Sequence, residues 1–126
     1  MTEYSKDLWK RAENALDSAK ALIKISPDDA ASRAYYAVFH AVSAAFALQN
    51  KTFVKHAAVR AAVHREFIKT GLWPMDIGIA FDMIWELRDT GDYGGTMHVT
   101  EDEANQAVQT ARQILEIIAG SCPELK

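Results

Sequence analysis

One run, Ser32 to Phe46 (SRAYYAVFHAVSAAF), constrains this chain more than any other. Val38, Phe39, Val42 and Phe46 stand among many alanines, so a helix built from it is apolar almost all the way round. Such a helix has no face to give to water and belongs inside a bundle, with other helices packed around it. Yet Arg33, Tyr36, His40 and Ser43 follow one another at steps of three, four and three residues, which puts them on one face. A buried helix with one polar stripe is either a hydrogen-bonded structural network or the floor of a site. Spacing alone leaves both open.

The rest of the chain supplies helices to surround it. From about Glu3 to Lys24, Leu8, Ala12, Ala15, Ala19 and Leu22 recur at steps of three and four, widened by Trp9, Leu16 and Ile23. Ser26 suits an N-cap, Pro27 the first helical position, and Asp28 and Asp29 the positive helix end. The central helix therefore starts near Pro27 and runs to about Leu48. A third helix covers His56 to about Lys69, stopped by Gly71 in a left-handed conformation. A fourth runs from about Asp76 to Arg88, with Ile77, Phe81, Ile84 and Leu87 inward. Three glycines in the segment from Arg88 to Gly95 predict a loop there. Thr100 with Glu103 makes a capping box, and the helix it opens should stop at Gly120, before Pro123. The expected fold is all-α: an antiparallel bundle of four to five helices in one domain over residues 1–126.

With a formal net charge of −3, broad non-specific binding to nucleic acid is disfavoured, though a local basic cleft is compatible with it. No apolar run reaches membrane-span length, and the start lacks a signal peptide's pattern, so a cytoplasmic location is the expectation. Cys122 is the only cysteine, which rules out an intrachain disulfide and a cysteine metal cluster. His56 and His64 are eight apart, too far for a paired metal motif, so no metal is expected. No cofactor is implied, because Gly91, Gly94 and Gly95 follow a helix rather than a strand. Ser43 could meet His40, but nothing in sequence supplies an oxyanion donor for a hydrolase. Two arginine sites remain. Arg33, Tyr36 and His40 form a candidate binding stripe. Arg88, Asp92 and Tyr93 form a candidate catalytic or phosphate-clamping group, since a guanidinium fork binds phosphate at two points.

Several stretches together resemble the HEPN domains, in particular their small stand-alone UPF0332-like branch. They are SRAYYAVFHA at Ser32 to Ala41, the helix from His56 to Gly71, LRDTGDYG at Leu87 to Gly94, and TEDEA at Thr100 to Ala104. The resemblance covers nearly the whole chain. It implies a homodimer that is one half of a two-gene toxin–antitoxin pair, with a minimal nucleotidyltransferase antitoxin as partner. It further implies a dimer cleft for RNA or nucleotide and, in active members, metal-independent ribonuclease activity. Those members carry Arg, a spacer of four to six residues, then His. Here Arg88 is followed five residues on by Tyr93, and by His98 only ten residues on. The alternative is a non-catalytic subunit that holds a nucleotide or the nucleotidyltransferase. The resemblance also implies that Tyr93 can accept a nucleotidyl group from the partner. An apparent surplus of large apolar residues, Trp9, Trp73, Trp85, Phe53 and Leu72, also points to a homodimer.

Overall fold

The computed structural model describes residues 2–126. Five helices follow in chain order: α1 (Thr2–Leu22), α2 (Pro27–Ala47), α3 (His56–Val63), α4 (Met75–Tyr93) and α5 (Glu101–Ser121). A single π-helical turn, His64–Ile68, extends α3, and a short 3-10 turn, Pro123–Leu125, closes the chain. Among the described residues there is no strand, so the bundle is all-α as expected. Among the described residues no helix is long and apolar enough to cross a membrane.

The apolar run behaves as its composition dictates. α2 packs against α1, α3, α4 and α5. Twelve of its residues are buried, most of them alanines, with Tyr35, Val38, Val42 and Phe46 as the larger ones. Alanine at so many contact positions lets neighbouring backbones come close. Its start is set as the sequence predicts: Ser26 Oγ accepts from the Asp29 N–H at 3.4 Å, and Pro27 fills the first turn. The α5 capping box also forms. Thr100 Oγ1 accepts from Glu103 N–H at 3.1 Å, and Glu103 Oε1 accepts from Thr100 N–H at 3.0 Å.

The segment from Arg88 to Gly95 departs from expectation. It is not a loop: α4 continues through Gly91 to Tyr93. A Cβ on Gly91 would stand 2.6 Å from the carbonyl oxygen of Asp28, so this glycine marks where α4 presses on the first turn of α2. Close packing outweighs the ~1 kcal/mol that glycine costs a helix. Arg88 and Asp92, one turn apart, add an ion pair at 3.2 Å across the same stretch. The helix stops only at Gly94, and the chain turns at Gly95 with φ +62°. Gly120 likewise lies inside α5 rather than ending it. Gly71 does take the left-handed conformation, with φ +76°. Gly78 admits the Ile68 side chain from the π turn, which a Cβ would meet at 2.7 Å.

The supposed apolar surplus shrinks in the fold. Trp9 and Trp73 are in the core, Phe53 and Trp85 are half-buried, and of the five only Leu72 is exposed.

Two of the helical glycines, Gly91 and Gly120, make opposite predictions. Gly91→Ala should destabilise by ~1–3 kcal/mol, because its methyl group meets backbone that cannot move aside cheaply. Gly120→Ala, with nothing within 4 Å, should stabilise by ~0.5–1 kcal/mol. Urea unfolding of both variants checks the pair, and equal effects would contradict the packing assigned to Gly91.

Candidate functional site

Arg88 sits on α4 one turn before its end, and burial would by itself weaken its charge. Its surroundings more than offset that. Tyr36, then Tyr35 and Asp92, hold its pKa above the usual arginine value. Its side chain is 13% exposed. The guanidinium carbon lies 5.1 Å from the Tyr35 ring centre, 5.9 Å from that of Tyr36 and 5.7 Å from that of Tyr93. Asp92 Oδ2 is 3.2 Å from Arg88 Nε but off the N–H direction, so the pair is a charge contact without a hydrogen bond. One permanently charged group is therefore caged by three phenol rings and one carboxylate. Asp92, expected among the reacting groups, serves as the counter-ion. Tyr93 is 73% exposed beside it.

The structure adds a residue to this site that the sequence did not nominate. His56, the first residue of α3, places Nδ1 2.7 Å from the Tyr35 hydroxyl and stacks on Phe39 with ring centres 4.4 Å apart. Burial pushes the Tyr35 pKa up, so its phenol keeps its proton and donates it to Nδ1. Neutral His56 is thereby assigned its own proton on Nε2. Burial, then the nearby Arg88, holds its pKa below the ordinary value, which favours that neutral form. His56 is then a hydrogen-bond donor at neutral pH rather than a base. Its proximity to Arg88 is carried through Tyr35, a contact between helices that no local spacing encodes. Further along α3, Arg60 Nε and His64 Nε2 share Asp82 Oδ1 of α4 at 3.1 and 2.9 Å, and Arg60 lies over Trp85. This cluster clamps α3 to α4.

The α2 stripe splits. Arg33 stacks on Tyr36, its guanidinium carbon 5.0 Å from the ring centre. That same ring carries Arg88 on its other contact, so the stripe and the Arg88 group meet at Tyr36. His40 is half-buried between α1 and α2, and its Nδ1 is covered without a hydrogen-bond partner. Its pKa is lowered by burial, then by Arg11, Arg33 and His56. Ser43 shares with His40 a second cleft, which Phe39, Lys51 and Phe53 also line.

His98 does not approach Arg88. Its Nδ1 lies 2.7 Å from Asp28 Oδ2, while Asp28 Oδ1 accepts from the Val99 N–H at 2.7 Å. Those two contacts, the backbone one larger, lower the Asp28 pKa and tie the segment after α4 to the start of α2. Among the described residues no group of three or more His, Cys, Asp or Glu could hold a metal ion.

Comparison with known proteins agrees with the helical-bundle fold. The HEPN domain matches residues 5–121 of this chain. The chain is similar to a UPF0332 protein of Thermotoga maritima, 36% identical over 95% of this chain and 92% of that one. It is also similar to a UPF0332 protein of Gloeobacter violaceus, 28% identical over 93% and 94% respectively. A protein of Methanocaldococcus jannaschii named "Putative toxin" is 30% identical over 80% of this chain and 71% of its own.

The two low-pKa histidines give a pH prediction. In the unfolded chain His40 and His56 take up protons near pH ~6.5, while in the fold they resist until lower pH. Between those values the unfolded state binds more protons, so stability is complete above ~6.5 and falls as pH drops below it. Urea unfolding at about pH 7.5 and about pH 5 should show the decline, and His40→Gln should flatten part of it. An unchanged decline in that variant would contradict the environment assigned to His40.

Proposed function

This chain belongs to the HEPN family, and on that footing we propose that it is the toxin-type subunit of a two-gene pair, acting as a homodimer beside a minimal nucleotidyltransferase antitoxin. Its working surface is the Arg88 cage, which takes a phosphate of RNA or of a nucleotide. The observation that carries this is Arg88 itself: a nearly covered guanidinium whose walls are mostly aromatic, with Asp92 as a contact lacking a hydrogen bond. An arriving phosphate can replace that contact with a two-point one.

The arrangement favours holding RNA over cutting it. Cleavage by a 2′-hydroxyl needs a base, an acid and a cation. Arg88 supplies the cation, but the neutral His56 ring offers Nε2–H, and Tyr93 with a reference pKa of ~10 is a poor base at neutral pH. Metal-independent ribonuclease activity is the second reading, supported by the way Tyr35 joins His56 to Arg88 in one site. Incubating purified dimer with RNA and a chelator separates the two. Binding without cleavage supports the first, and cleavage abolished by His56→Gln supports the second.

Tyr93 is the regulatory acceptor in this proposal. Its exposed phenol can enter another protein's active site, and a phosphate added to it would meet Arg88. With the partner nucleotidyltransferase and ATP, the intact mass should rise by nucleotidyl units, and Tyr93→Phe should abolish the gain. A gain that survives the substitution would place the acceptor elsewhere. Light scattering at micromolar concentration should show a dimer, and a monomer would contradict the assembly.

A further inference from the structure

Beside the Arg88 cage, α1 and α2 enclose a polar cleft of about 220 Å³ lined by Arg11, Asn14, Ala15, Ser18, Arg33 and His40. Two arginines face it and none of its lining residues is acidic. Among the described residues Arg33 meets no carboxylate; its one described partner is the Tyr36 ring. Arg11 reaches Asp7 at 3.5 Å, but both side chains are about two-thirds exposed, and such a pair exchanges readily for a stronger anion. His40 brings a covered ring nitrogen that nothing satisfies. Asn14 and Ser18, one turn apart on α1, add neutral donors. Burial lowers the pKa of His40 first, and the positive charge of Arg11 and Arg33 beside the ring lowers it further.

This cleft is joined to the Arg88 cage by a single ring. Arg33 and Arg88 both contact Tyr36, so their guanidinium carbons lie within about 11 Å of each other. That separation suits phosphates one or two nucleotide steps apart, and the half-buried ring of Tyr36, which both arginines contact, gives a base a surface to lie on. We propose that the Arg11–Arg33–His40 cleft is a second phosphate subsite, so that the ligand of this surface is a single RNA strand crossing Tyr36 rather than a lone nucleotide. The proposal rests on the phosphate-clamp reading of Arg88 and extends it along the strand.

The test is the salt dependence of binding to a labelled single-stranded RNA of about ten nucleotides, followed by fluorescence anisotropy. Each lost phosphate contact should lower the slope of log affinity against log salt by about 0.7. Arg33→Gln and Arg11→Gln should each weaken binding several-fold and lower the slope by that step; Arg11 is exposed, so its variant should melt like wild type. If both bind with wild-type affinity and slope while Arg88→Gln does not, the subsite is overturned and the Arg88 clamp stands. If Arg88→Gln binds as wild type while the cleft variants lose the strand, the clamp is overturned and the cleft stands alone. If the wild-type protein binds no RNA strand, both fall.

Discussion

The close burial of α2 is the constraint on which everything else depends. Its alanines let α1, α4 and α5 approach the same helix, and a helix enclosed this way leaves few places for a polar group. The polar residues it does carry must come out in the seams between its neighbours. Tyr35 is held inside with its hydroxyl on His56, Tyr36 emerges toward Arg88 of α4, and Arg33 and His40 emerge toward α1. The site is thus a consequence of packing: the polar stripe of α2 becomes accessible only where the surrounding helices fail to close over it.

The same packing concentrates charge. The chain as a whole is negative, yet Arg11, Arg33 and Arg88 gather along one side of α2 with Asp7 and Asp92 as their paired carboxylates. Both nearby histidines are held neutral there. Holding like charges together costs folding energy that an anionic ligand would return on binding, by mass action. The bound Asp28, which receives Val99 and His98, fixes the end of α4 and so fixes Arg88 and Tyr93 relative to α2.

Much of the fold was legible because it rests on local chemistry. The Ser26 cap, the Thr100–Glu103 box and the left-handed Gly71 are each set by residues within a few positions of one another. The end of α4 was not legible, because glycine at position 91 reads locally as a breaker, whereas its role is set by the Asp28 backbone far away in sequence. The stripe of Arg33, Tyr36 and His40 on one helix face could be read from spacing, and Arg88 was singled out as a separate candidate from the family resemblance. Their meeting at one ring could not, since it depends on how α4 lies across α2. His56 was passed over for the same reason. Its histidine neighbour by spacing, His64, is tied to Asp82, and its true partner is a tyrosine on another helix.

On the proposed reading His56, Tyr36 and His40 lie along one anion-binding surface. NMR of the two imidazole rings during addition of a short single-stranded RNA tests it most directly. Both rings should shift in parallel, saturate at the same RNA concentration, and titrate at higher pH once the strand is bound. A strand that binds while neither ring moves would contradict it.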